Sequence, residues 1–298
     1  MDSRLEIFLS VAENKSFSRT AEKYYMSQPA VSQHIQALEE RIGTKLLDRN
    51  NKFVKLNKAG EIVYHYGKEI AGLYNKMDYL VDDLTNNASG PINIGASYTF
   101  GEYLLPNLIA ELLSLYPYSQ PAVTIGNTEE IAHLVNNSQL DIGIIEGHTP
   151  KKFLVQKEFL EDSMVIVASP GFPLKREDSI SVKELGKYTW LMRENGSGTR
   201  EASEKLFEEF KIVPQSFLTF SSTQSIKAAV EAGLGLSLLS RWAIQKELKY
   251  GDLITVNPTD ISLKRTFSYL KNSHYQSKVL EGFTELLEQK NLYDTFYI

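Results

Sequence analysis

The chain has 298 residues, 42% of them hydrophobic and 23% charged, with a formal net charge of −5, enough apolar material for the cores of two or three globular domains. Residues 1–58 hold ten Lys and Arg against seven Asp and Glu, a surplus of +3 that leaves −8 for the remainder; a nucleic-acid-contacting head on an acidic body needs this asymmetry. There is no cysteine, which excludes disulfides, thiolate metal sites and thiol redox sensing, and no stretch approaches the roughly 18 to 20 apolar residues of a membrane span.

The opening segment, MDSRLEIFLSVAENKSF, is too polar for a signal peptide, so a soluble, cytoplasmic protein is expected; Leu5, Phe8, Leu9 and Ala12 instead mark one face of a helix. From Ser16 to Arg49 the pattern reads as two short helices and a turn, followed by an exposed reading helix. Phe17 before Ser18 suggests Ser18 as the cap of the first, and small Ala21 allows close approach between helices. Ser27 can cap the reading helix while Pro29 occupies its first turn, where the missing N–H removes no helical bond. Val31, Ile35, Leu38 and Ile42 recur at steps of four, three and four and define a buried side. Gln28, Ser32, Gln33 and Gln36 fall on another side, where uncharged amides and hydroxyls can exchange hydrogen bonds with base edges. By periodicity alone, an ordinary three-helix packing unit fits the same pattern.

Residues 49–58 suggest a two-stranded wing around an Asn-Asn turn, with Arg49, Lys52 and Lys55 placed to meet phosphates; a solvated basic loop is the alternative. From Ala59 to about Thr85, Tyr66, Ile70, Leu73, Met77, Leu80 and Leu84 form a heptad seam on a helix roughly 40 Å long. A second copy is its natural cover, the alternative being a helix lying on its own domain. Asn86 to Pro91 reads as a hinge.

Beyond it, short apolar runs alternate with helical stretches, which predicts parallel sheets with helices on both faces. Candidate strands are Ile92 to Ala96, Ala122 to Gly126, Asp141 to Glu146, Ser163 to Ala168, Thr189 to Met192 and Gly235 to Leu239; Pro106 opens one helix, and Gln276 to Gln289 supplies the last. Open sheets bind ligands beyond the carboxyl ends of their strands. Three segments meet that condition: Ser97-Tyr98-Thr99, Asn127-Thr128, and Glu194-Asn-Gly-Ser-Gly-Thr-Arg200. In the third, Gly196 and Gly198 let backbone approach a ligand, Ser197 and Thr199 offer hydroxyls at a helix start, and Arg193 and Arg200 add positive charge. This chemistry suits a small anion such as a carboxylate, sulfate or phosphate, and lacks the Lys of a nucleotide P-loop; a Gly-rich turn with nothing bound is the alternative. Five histidines show no metal-ligand spacing, and no nucleophile elbow or dinucleotide fingerprint is present. Neither an enzyme nor a cofactor is therefore expected.

The string SFSRTAEKYYMSQPAVSQHIQALEERIGTKLLDR, followed by the LNKAG of Leu56 to Gly60, resembles the winged helix-turn-helix of LysR-type transcriptional regulators. Thr20, Tyr24 and Asn57 depart from the usual residues without touching the reading face. The ENGSGTR string resembles a branch with CysL-like regulators of sulfur metabolism and regulators of carbon fixation. The resemblance implies an α/β protein: a winged helix-turn-helix over 1–58, a linker and dimerisation helix over 59–88, then a two-lobed effector domain of the type 2 periplasmic-binding-protein kind. Lobe I would comprise 91–161 and 267–298, and lobe II 162–266. It further implies a homodimer or homotetramer that binds double-stranded promoter DNA through Ser27, Gln28, Pro29, Ala30, Ser32, Gln33, Gln36, Arg49, Lys52 and Lys55, and acts on RNA polymerase. Its effector would be a small anionic metabolite, with Ser97, Thr99, Thr128 and Thr199 at the ligand-facing positions. Two rivals remain: a cytoplasmic small-anion-binding protein, and a constitutive DNA-binding protein with an inert body.

Overall fold

The computed structural model describes residues 1–49, 54–85, 90–147, 154–173, 182–256, 263–272 and 276–296. The chain divides into two compact units, residues 1–85 and 86–298.

In the first unit, α1 (Ser3–Asn14), α2 (Phe17–Lys23) and α3 (Gln28–Ile42) enclose a core of Phe8, Val11, Phe17, Ala21, Val31, Ile35 and Leu38. At the start of α1, Asp2 accepts from the Arg4 amide at 2.9 Å, and hydrogen bonds from the Arg4 guanidinium and amide hold its carboxyl down to about 2. Ser27 accepts from the Ala30 amide at 3.3 Å, Pro29 sits in the first turn, and Gly43, at φ 84, ends α3 in the left-handed conformation a C-cap uses. Two expectations are corrected. The cap of α2 is Ser16, whose Oγ accepts from the Arg19 amide at 3.3 Å, because Ser16 keeps the extended backbone of a cap while Phe17 must enter the first turn to reach the core. Ile42 is exposed rather than buried, since α3 ends there and outruns the core that Leu38 fills.

Antiparallel β1 (Leu47–Arg49) and β2 (Val54–Leu56) pair Leu47 with Leu56; the Asn-Asn turn and Lys52 lie outside the described residues. α4 (Lys58–Thr85) then runs for 28 residues, about 42 Å at roughly 1.5 Å each. Ala59, Val63, Tyr64 and Ala71 pack on the core of this unit, and Gly67 lies so close to Leu5 and Leu9 that a Cβ would meet both at 3.0 Å. Of the seam, Tyr66, Ile70, Leu73 and Met77 are exposed, together with Ile62 and Val81. The side chains of Leu80 and Leu84 lie outside the description, as does most of the Asn86 to Pro91 hinge.

The second unit comprises β3 (Gly90–Ser97), α5 (Tyr98–Tyr103), α6 (Leu105–Leu115), β4 (Ser119–Gly126), α7 (Thr128–Asn136), β5 (Ile142–Glu146), β6 (Leu154–Ala168), β7 (Thr189–Arg193), α8 (Gly198–Phe210), β8 (Ser216–Phe220), α9 (Thr223–Glu231), β9 (Ser237–Ser240), α10 (Gln245–Tyr250), β10 (Ile254–Val256), β11 (Leu263–Asn272), α11 (Lys278–Glu288) and α12 (Lys290–Asp294). Its main sheet has the order β10-β6-β11-β5-β3-β4, with β9 also on β6, and β7 and β8 form a separate parallel pair. The expectation of parallel sheets is corrected to a mixed arrangement. β3 pairs parallel with β4 and β5, whereas the long strands β6 and β11 run antiparallel to each other. β11, LKRTFSYLKN, escaped the sequence reading because its charges interrupt the apolar run that marks a buried strand.

One core gathers Ile94, Phe100, Leu108, Ile144, Phe283 and, from the long strands, Phe159 and Phe267. Another gathers Trp190, Met192, Leu206, Leu238 and, from β6, Met164 and Ile166. Between these two groups along the long pair, Asp162 stands opposite Arg265.

Candidate functional site

On the first unit, the residues singled out as base-reading lie where α3 leaves the core. Gln28, Pro29, Gln33 and Gln36 are exposed, Ala30 and Ser32 half-buried, and the opposite side carries Val31, Ile35 and Leu38. Gln36 donates to Glu40 at 2.9 Å, an interaction along the same helix face. Lys55 is exposed on β2, Arg49 ends β1, and Lys52 falls outside the described residues. The segment after α3 is fastened by buried Glu39, which accepts from the Leu46 amide and from Lys45, both at 2.9 Å; burial alone would raise its carboxyl, but these bonds hold it below the ordinary value.

In the second unit the three segments expected to meet a ligand come together around Glu146 or its neighbours. Thr99 and Thr199 are buried and both meet Glu146 at the end of β5: the Thr99 amide donates to Oε1 at 3.2 Å and the Thr199 hydroxyl to Oε2 at 3.1 Å. Thr128 Oγ1 donates to the Glu146 carbonyl at 3.3 Å. Asn127 caps α7 in a capping box with Glu130 and reaches Glu194 at 3.4 Å. Gly196 accepts from the Glu129 amide at 3.2 Å, and its φ of 84 lies in the left-handed region that favours glycine. Gly198 is equally constrained, since its Cβ would fall 2.4 Å from that of Glu146. Ser97 is buried with no hydrogen-bond partner for its Oγ, and buried Ser197 stands at the start of α8 without a side-chain cap bond.

The charged centre of this site was missed by sequence reasoning. Arg265, buried on β11, donates through Nη1 to Glu146 at 2.5 Å and Thr199 at 3.0 Å, through Nη2 to Thr99 at 3.0 Å and through Nε to Asp162 at 2.7 Å. Ser240 donates to the second Asp162 oxygen at 2.7 Å. One guanidinium thus serves two buried carboxylates. Burial is the largest influence on each and opposes charge on both; at Glu146 the Arg265 charge, the Thr99 and Thr199 bonds and the Arg193 charge together keep the carboxyl low, whereas Asp162 is pushed up, with the Glu146 charge adding to the effect.

The arginines beside the glycine loop are also matched by carboxylates. Arg193 bonds Glu194 at 2.7 and 2.8 Å, donates to Thr223 at 3.2 Å and stacks 4.4 Å from the centre of the Tyr98 ring. Arg200 bonds Glu204 at 2.7 Å and the Arg193 carbonyl at 3.1 Å. Arg200 and Ser197 border a separate cavity of about 240 Å³ that Asn195 and Glu201 also line. Gly196 and Glu204 complete its lining.

Residues 3–61 match the profile of the bacterial regulatory helix-turn-helix protein, lysR family, and residues 85–291 match that of the LysR substrate binding domain. The chain belongs to the LysR family. The HTH-type transcriptional regulator CysL of Bacillus subtilis is 40% identical over 266 residues, 89% of each chain. A probable RuBisCO transcriptional regulator of Cyanidium caldarium is 34% identical over 287 residues, 94% of this chain and 90% of that one. Among solved structures, the Synechocystis PCC6803 CcmR regulatory domain in complex with 2-PG superposes with a TM-score of 0.62 at 27% identity, covering 67% of this chain and 96% of that one. Full-length CbnR complexed with its target DNA gives a TM-score of 0.74 at 18% identity over 96% of this chain and 98% of that one, a likeness of fold. These LysR proteins are transcriptional regulators, not enzymes. No helix among the described residues is long and apolar enough to cross a membrane.

Within this LysR chain the site is built from both types of signal. The Thr and Gly positions were legible because strand ends and glycines leave local marks. Glu146, Asp162, Ser240 and Arg265 carry no local motif; the pairing of β11 with β5 and β6 brings Arg265 to the two carboxylates, and that of β9 with β6 brings Ser240 to Asp162. The five histidines likewise carry no metal motif; His148 and His274 lie outside the described residues, and among those described no cluster of metal-ligating side chains occurs.

Proposed function

We propose that this LysR-family regulator reads promoter DNA as a homodimer or homotetramer in the cytoplasm, acts on RNA polymerase there, and responds to a small anionic effector held by its second unit. What supports the reading half is the bare glutamine face of α3, with Lys55 and Arg49 on the neighbouring strands to meet phosphates. Pairing of two copies along the exposed apolar seam of α4 would present two such heads to a symmetric pair of half-sites.

The single observation that carries the sensing half is the convergence of Thr99, Thr128 and Thr199 on one buried centre around Arg265. Hydroxyls, a backbone amide and a guanidinium in a low-dielectric setting suit a compact oxyanion. The likeness to the CcmR regulatory domain, whose structure holds 2-PG, favours a phosphorylated or carboxylated metabolite. Effector binding changes regulation only by favouring one arrangement of the body over another.

The test is quantitative binding to genomic promoter fragments, with footprinting in the presence and absence of a saturating oxyanion. Gln33→Ala is expected to cut discrimination between the preferred fragment and random DNA by on the order of 1 to 3 kcal/mol. Unchanged discrimination removes Gln33 from the reading face, and identical footprints under all conditions contradict the sensing role.

A further inference from the structure

The seat expected for the effector anion is filled by the protein's own carboxylate. Glu146 takes the Thr99 amide, the Thr199 hydroxyl and Nη1 of Arg265, the donors that an incoming oxyanion would need. Its side chain is 2% exposed. The neighbouring cations offer no second seat, since Arg193 is spent on Glu194 and Arg200 on Glu204. The buried Ser97 Oγ has no partner.

Charge makes the occupancy consequential. Arg265 already faces two carboxylates, so an arriving ligand finds its positive charge taken. Adding an oxyanion beside an ionised Glu146 would set like charges together in a buried site, which costs far more than the same contact in water. Nor can Glu146 turn aside freely, because the start of α8 is packed on it at Gly198, where even a Cβ would come within 2.7 Å of the Glu146 carbonyl oxygen.

We propose that Glu146 is a resident competitor: a small oxyanion effector binds by taking over the Arg265, Thr99 and Thr199 donors from the Glu146 carboxylate, and the displaced side chain obliges the start of α8 to move. This deepens the effector reading above and rests on it. Glu146 then sets the effector threshold, and the exchange supplies the structural change that binding an anion in an already formed cradle would lack. Asp162 stays behind to keep Arg265 in place through Nε, with Ser240 holding its other oxygen.

The test is isothermal titration calorimetry on the full chain, wild type and Glu146→Gln, with 2-phosphoglycolate, glycolate and inorganic phosphate as separate arms. The amide keeps the size of the side chain and removes its charge. Exchange predicts binding at least tenfold tighter in the Gln variant, with a larger gain for 2-phosphoglycolate than for singly charged glycolate, a charge dependence that a merely structural Glu146 would not produce. The glycolate and phosphate arms distinguish a carboxylate from a phosphate as the recognised group. Equal or weaker binding by the Gln variant, with the wild type binding, overturns the exchange and leaves the effector site standing. Absence of binding by either protein in every arm overturns both. Should the Gln variant lose its circular dichroism spectrum, Glu146→Asp decides instead: its shorter carboxylate grips Arg265 less well, and an affinity no higher than wild type overturns the exchange.

Discussion

Ser16 and Ser18 illustrate how closely two side chains of the same kind can compete for one role. Both stand at the start of α2, but only Ser16 has the extended backbone and the bond to the Arg19 amide that a cap requires, while Ser18 is exposed within the first turn. Ser16→Ala is expected to lower the stability of the first unit by about 1 kcal/mol, the usual worth of a cap, and Ser18→Ala to leave it nearly unchanged; thermal unfolding of the two variants checks this. The same contrast runs through the proposed effector site. Gly196 and Gly198 could be picked out from sequence as points of close approach, but what they approach, Glu129 and Glu146, could not.

At the level of elements, α4 is divided between packing on its own unit and an apolar side left bare. Its first turns fasten to the head through Ala59, Val63, Tyr64 and Gly67, while Tyr66, Ile70, Leu73 and Met77 remain bare on another side. Leu73→Asp is expected to shift the protein toward monomer, measured by sedimentation velocity, and to weaken binding to a two-half-site fragment, because a charge in the seam must be desolvated on pairing. The strands β6 and β11 pose the opposite problem. Charged residues interrupt the apolar runs of β11 and of the first part of β6 and hide them in the sequence, yet the two strands connect the cores on either side of Asp162 and Arg265.

Across the second unit as a whole, the Glu146–Arg265–Asp162 centre brings together residues that are far apart in the chain. Arg265→Met would leave two buried carboxylates without their guanidinium and is expected to cost about 3 to 5 kcal/mol in urea unfolding. Replacing all three with apolar residues of similar volume should recover most of that loss, because the burial of unpaired charge, rather than the absence of attraction, is what destabilises. A triple variant as unstable as the single one would show that the centre's packing matters more than its charge.

The amino-acid sequence alone determined the helix-turn-helix, the exposed glutamine side of α3 and the exposed seam, because caps, helical periodicity and glycine turns act over a few residues and leave their marks in local order. It also located the threonines and glycines at the strand ends. Tertiary structure alone decided what those groups face. Glu146, Asp162 and Arg265 meet through antiparallel pairing of β11 with β5 and β6, and a buried carboxylate finds its guanidinium by topology and desolvation, for which no spacing along the chain provides a signal.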